Sequence, residues 1–165
     1  MIRTKKISFS YTEYENTEEL DSNYLELVVA AREAALNAYA PYSKFRVGAA
    51  VRLESGIIVR GANVENAAFP SGICAERSAL SNSVSNHCND KPVAIAIASM
   101  TEDGLTDNSP SPCGNCRQVI AEEESRIGSQ LKIILSGKNK TIVIDGISNL
   151  LPLQFDRNNL KINLP

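Results

Sequence analysis

Val93-Ala94-Ile95-Ala96-Ile97-Ala98-Ser99 is the stretch around which the chain organises itself. It is apolar without a break, and β-branched residues alternate with alanine, as in a strand buried on both faces of a sheet. Before it, Ala75, Ala79, Leu80 and Val84 recur at helical spacing. After it, Val119 and Ile120 fall inward on a helix expected to open near Cys113. A buried strand with a helix on either side specifies layered α/β architecture.

Working outward, a first helix is predicted from about Asp21 to Ala40. Asp21 or Ser22 caps it, Leu25, Val28, Val29, Leu36 and Tyr39 form its stripe, and Pro41 stops it. Strands follow at 46–53 and 57–60, joined by a turn at Glu54-Ser55-Gly56, and residues 62–73 read as a loop. Two more strands, 131–135 and 141–144, flank the turn Gly137-Lys138-Asn139. The order αββαβαββ predicts a mixed five-stranded sheet in a three-layer α/β/α domain spanning residues 21–165. Residues 1–20 read as an N-terminal extension, in which Ile7-Ser8-Phe9-Ser10-Tyr11 alternates and is either an edge strand or loose chain. There is no internal repeat and no domain linker.

The 165 residues suit one domain with a sizeable core. Net charge is −2, and no basic cluster of the kind that neutralises polynucleotide phosphates is evident. A small-molecule substrate is therefore favoured over nucleic acid. No apolar run reaches bilayer-spanning or signal-peptide length, so the expected location is the cytoplasm. Thiols stay reduced there, and clustered cysteines signify metal binding or catalysis more often than disulfides.

Cys74-Ala75-Glu76 and Pro112-Cys113-Gly114-Asn115-Cys116 supply that cluster, each at the start of a predicted helix. Three thiolates can hold one zinc ion per chain and leave its fourth position open, the arrangement of a catalytic rather than a structural site. Glu76, not needed as a ligand, is placed to move protons. Three thiolates around a dication leave a charge of −1, which converging helix N-termini would offset. Arg77 is the side chain expected to hydrogen-bond the sulfurs. His87 and Cys88 lie about 20 Å along the helix from Cys74 at 1.5 Å rise per residue, too far to be a fourth ligand. With His87 the only histidine, Ser-His-Asp and Cys-His chemistries lack their base.

At these residues the chain resembles the cytidine deaminase family, in its small, homotetrameric, three-cysteine branch. The likeness covers about residues 25–155. It rests on Ala40-Pro41-Tyr42-Ser43-Lys44-Phe45-Arg46-Val47-Gly48-Ala49-Ala50, Asn63-Val64-Glu65-Asn66-Ala67-Ala68, Gly72-Ile73-Cys74-Ala75-Glu76-Arg77 and Ser111-Pro112-Cys113-Gly114-Asn115-Cys116-Arg117-Gln118-Val119. The resemblance implies zinc-dependent hydrolytic deamination of cytidine and deoxycytidine, with Glu76 carrying protons between water, N3 of the pyrimidine and the departing amino group. It further implies that Asn63 and Glu65 hold the ribose hydroxyls, Phe45 stacks on the base, and the backbone N–H of Ala75 meets the base carbonyl. Phe155 matches an aromatic that reaches a neighbouring subunit's base. Phe69 stands where many members carry tyrosine, on a segment approaching a neighbour's substrate.

Two other functions fit part of the pattern. A blasticidin-type deaminase would share the three-cysteine site, but Asn63-Val64-Glu65-Asn66-Ala67 favours the nucleoside enzyme. A non-catalytic zinc- or nucleoside-binding module would have no use for Glu76. Deoxycytidylate and guanine deaminases usually place histidine where Cys74 stands. A phosphate-loop reading of residues 136–141 fails because the upstream glycine is missing and a strand, not a helix, is expected to follow.

Overall fold

Residues 2–108 and 110–160 are described by the computed structural model. The strands are β1 (Thr12–Tyr14), β2 (Arg46–Leu53), β3 (Ile58–Ala62), β4 (Pro92–Thr101), β5 (Gly104–Leu105), β6 (Lys132–Ser136) and β7 (Thr141–Asp145). The helices are α1 (Ser22–Leu36), α2 (Ala75–Asn86) and α3 (Gly114–Ile127). The sheet order is β1-β7-β6-β4-β2-β3, with β5 paired to the end of β4. Only β4 and β6 run parallel, joined through α3; the other neighbours are antiparallel.

The alternation in β4 builds both layers. Ile95 and Ile97 point to one face, where they pack with Ala75, Ala79 and Leu80 of α2 and Ile120 and Ala121 of α3. Ala94, Ala96 and Ala98 point to the other, against Leu27, Val28, Ala30 and Ala31 of α1. The expected α/β/α sandwich is therefore present, with one helix on one face and two on the other.

Seven strands replace the expected five. One addition is β5, two residues long and too short to show periodicity; Gly104, at φ +100°, closes the turn that pairs it with β4. The other is β1, an edge strand at Thr12–Tyr14 rather than at Ile7–Tyr11. Ile7, Phe9 and Tyr11 are exposed and unpaired to the sheet. The alternation there had no core face to satisfy, whereas Tyr14 packs partly against the α1 layer.

The first helix is shorter than expected and turns a different face inward. Asp21 caps it, accepting the N–H of Asn23 at 2.9 Å. It ends at Leu36, leaving Val29, Leu36 and Tyr39 exposed while Leu27, Val28, Ala30, Ala31, Ala34 and Ala35 are buried. The reason lies in the strand beneath. A methyl group on Gly48 would stand 2.1 Å from the Ala31 carbonyl oxygen and 2.3 Å from the Ala35 nitrogen. At Gly48 helix and sheet approach so closely that the alanines at 31, 34 and 35 fit there and bulkier residues would not.

Candidate active site

Ending α1 early frees residues 37–45 for the site. Tyr39 pairs with the strand-like stretch after β3: its N–H donates to Asn63 O at 3.0 Å, and its carbonyl accepts from Glu65 N at 2.8 Å. Val64 exchanges two backbone bonds with Ile73, each 3.0 Å. The predicted loop at 62–73 is thus pinned at both ends and delivers Cys74 to the start of α2.

Cys74 and Cys113 are the N-cap residues of α2 and α3, and neither caps through its side chain. Their sulfurs, with that of Cys116 in the first turn of α3, all lie within 4.8 Å of one another. Cys113 Sγ and Cys116 Sγ are 3.7 Å apart. The two helix N-termini therefore converge on the sulfur cluster, with their positive dipole ends toward it. Cys88 is exposed and His87 ends α2; neither joins the cluster.

Glu76 sits in the first turn of α2 and is 6% exposed. Burial raises its pKa, partly opposed by a backbone N–H and by the Cys116 thiol within hydrogen-bonding reach. Burial likewise raises Cys116, with the neighbouring charges of Glu76 and Cys74 adding to it. Burial is also the first cause of the rise at Cys74. Cys113, at the surface, is lowered, mainly by the backbone N–H of Cys116. Behind burial, the like charge of Glu76 adds to the rise at both Cys74 and Cys116, and a dication placed among these groups would relieve it. The donor set of three sulfurs, closed by no fourth residue among those described, fits zinc with a position to spare.

Beside the cluster lies a cavity of about 450 Å³. Phe45, Asn63, Glu65, Phe69, Cys74, Ala75, Glu76 and Cys113 all line it, together with Ile97 and Ser111. None of its described lining residues is basic. Phe69 is 75% exposed at the rim, edge-on to Tyr42 with ring centroids 6.0 Å apart.

Asn63 and Glu65 do more than face the cavity. Asn63 Oδ1 accepts the N–H of Val47 at 2.7 Å, and its Nδ2 donates to Phe45 O at 3.1 Å. Glu65 Oε2 accepts from the N–H groups of Tyr42 (2.9 Å) and Ser43 (3.3 Å). Between these anchors Lys44 takes a left-handed φ of +58°. The pair thus shapes the turn that presents Phe45. Hydrogen bonding, first from the Ser43 side chain, lowers the Glu65 pKa and favours the carboxylate.

Two expected residues stand apart from the cavity. Arg77 is half-buried on α2, and no hydrogen bond among the described residues joins it to a sulfur. Phe155 is 57% exposed, outside the cavity lining, its carbonyl accepting from Gln118 Nε2 at 2.8 Å. Sequence reasoning assigned no role to Arg117 or Ser111, though both stand in the quoted motif. Arg117 donates to Ser111 Oγ and to the carbonyls of Pro112 and Leu150, and the main-chain acceptors among these are a signal that spacing does not carry.

Residues 21–129 match the family model described as the cytidine and deoxycytidylate deaminase zinc-binding region. A cytidine deaminase of Halalkalibacterium halodurans is 40% identical over 129 residues, 78% of this chain and 91% of that protein. A blasticidin-S deaminase of Bacillus cereus is 32% identical over 137 residues, 81% and 93% of the two chains. The crystal structure of cytidine deaminase from Burkholderia pseudomallei superposes with a TM-score of 0.66 at 34% identity, covering 79% of this chain and 97% of that one. With the sulfur triad at two helix N-termini and a family match across the whole metal-binding region, the chain belongs to the zinc-dependent cytidine and deoxycytidylate deaminase family.

Proposed function

We propose that this protein hydrolytically deaminates cytidine and deoxycytidine to the corresponding uridines. The observation that carries the reading is Glu76: a buried carboxyl within reach of the sulfur cluster, at the floor of a nucleoside-sized cavity, and surplus to the ligand set.

Zinc on Cys74, Cys113 and Cys116 would supply Lewis acidity and a water of lowered pKa. Glu76 would accept a proton from the attacking water and give it to N3 of the pyrimidine, which makes C4 more electrophilic. As the water oxygen bonds to C4, Glu76 would take the remaining hydroxyl proton and hand it to the amino group; the C4 carbonyl forms, the C4–N bond breaks and ammonia leaves. Phe45 stacks on the base, the N–H of Ala75 donates to its carbonyl, and Asn63 with Glu65 receives the ribose hydroxyls. Arg77 offsets thiolate charge. The absence of basic residues from the described lining favours an unphosphorylated nucleoside over deoxycytidylate.

The working assembly in this reading is a homotetramer, with Phe69 and Phe155 meeting neighbouring sites; the exposure of both rings supports it. In this reading the enzyme serves pyrimidine salvage in the cytoplasm. Residues 21–165 act as the catalytic domain, with residues 1–20 as an accessory extension.

An ultraviolet assay of the purified protein with cytidine, deoxycytidine, deoxycytidylate and blasticidin S, paired with zinc stoichiometry, tests the reading. Turnover of the two nucleosides with one zinc per chain is expected. Turnover of blasticidin S alone, or zinc binding without turnover, contradicts it.

A further inference from the structure

We propose that Arg117 is a positioning residue for the zinc site, holding the Cys113 loop in register with Cys116 and fastening it to the C-terminal segment. Its guanidinium makes three contacts. Nε donates to Pro112 O at 2.8 Å, Nη2 to Ser111 Oγ at 2.9 Å, and Nη1 to Leu150 O at 2.6 Å. Its backbone N–H donates to Cys113 O at 2.9 Å. One residue thus grips three consecutive positions, 111 to 113.

The loop needs such a grip. Between β5 and α3 no described residue belongs to a strand or helix, so no ladder of backbone bonds fixes where Cys113 stands. Pro112 has no N–H, and its carbonyl is its only polar backbone group. Pro112 is buried, so that carbonyl requires a donor from the protein, and Arg117 is the one that reaches it. Ser111 also lines the cavity, which puts the same fork next to the substrate wall.

Geometry explains why arginine stands here. Three donors diverge in a plane toward three acceptors on two chain segments, which the single ammonium of lysine cannot reproduce. No carboxylate among the described residues pairs with Arg117, so its charge is spent on neutral oxygens close to the thiolate ligands. Through Leu150 the fork also anchors the start of the tail, and Gln118, the next residue, holds Phe155 by its carbonyl. Metal loop and tail are therefore set by adjacent residues of one helix turn.

Arg157 provides the control. It donates to Ser125 O and ties the tail to the same helix without touching the loop. The test uses full-length protein, with zinc release to the chelator 4-(2-pyridylazo)resorcinol and the absorption spectrum of the cobalt(II)-loaded form as readouts. R117A and R117K are both expected to hold zinc about 10-fold or more weakly, the usual effect of removing an outer-shell partner, and to shift the cobalt–thiolate bands. R157A is expected to lower thermal stability and leave both readouts unchanged. If R117A does not fold, R117K carries the test. R117K with wild-type zinc affinity and an unaltered cobalt spectrum overturns the proposal. A wild-type protein without cobalt–thiolate bands overturns the metal site itself, and the proposal with it.

Discussion

Gly61 on β3 lies against Ala79 of α2 so closely that an added methyl would stand 2.4 Å from the Ala79 nitrogen and 2.7 Å from the Ala75 carbonyl oxygen. Backbone, not a flexible side chain, occupies that space. G61A must therefore push α2 away from the sheet, and Cys74 and Glu76 ride on the displaced end. The expected cost is about 1–3 kcal/mol, as for other overpacked contacts. Urea denaturation and zinc content per chain measure the two effects together. Unchanged stability with full zinc would contradict the close packing.

Asn63 and Glu65 hold the Phe45 turn and, in the proposed function, the ribose. These duties separate experimentally. N63A leaves the Val47 N–H without its partner and is expected to lower both stability and kcat/KM. E65Q keeps an oxygen for Tyr42 and Ser43 but loses the carboxylate, and should raise KM for cytidine by about tenfold or more. With a nucleoside lacking the 3′-hydroxyl, wild type and E65Q should converge. A full penalty on that analogue would assign Glu65 to the turn alone.

Glu124 offers a pH prediction away from the metal. Its Oε1 accepts the N–H groups of Leu131 and Ile147, both at 2.9 Å, and burial raises its pKa above the ordinary 4.5. A carboxyl whose folded pKa is raised contributes stability that is complete below the unfolded value and falls away as pH rises through the folded one. E124Q should therefore gain on wild type as pH climbs from about 4.5 toward neutrality. E124A strands two N–H groups beside the buried Leu131 and Ile147, at about 1–3 kcal/mol each. Thermal melts of the three proteins between pH 4 and 8 check both statements.

The layered fold was legible because the β4 alternation and the capped helix starts each follow from local chemistry. The metal site was legible for the same reason: helix N-termini bring Cys74, Cys113 and Cys116 together, and those termini are written beside the cysteines. What the pattern concealed was tertiary. Val29 and Leu36 look like core residues until Gly48 draws Ala31, Ala34 and Ala35 onto the sheet and turns those two outward. Thr12–Tyr14 joins the sheet through backbone pairing with β7, which side-chain alternation does not report. Arg117 acts on the carbonyls of Pro112 and Leu150, and no sequence spacing foretells a main-chain acceptor 33 residues away.

Assembly is testable through Phe155, which lies outside its own chain's cavity. F155A should leave zinc content and the monomer's melting behaviour intact while raising KM for cytidine. Sedimentation should give four chains for wild type. A monomeric wild type with full activity would remove the basis for subunit sharing.

The central assignment, proton transfer by Glu76 next to the sulfur triad, is tested most directly by Glu76→Gln. Turnover of cytidine and zinc per chain should be measured on the same preparation. Retained zinc and fold with activity reduced by several orders of magnitude, roughly 10³-fold or more on the scale of a lost general acid–base group, is the expected result. A variant that keeps both its metal and near-normal turnover would contradict it.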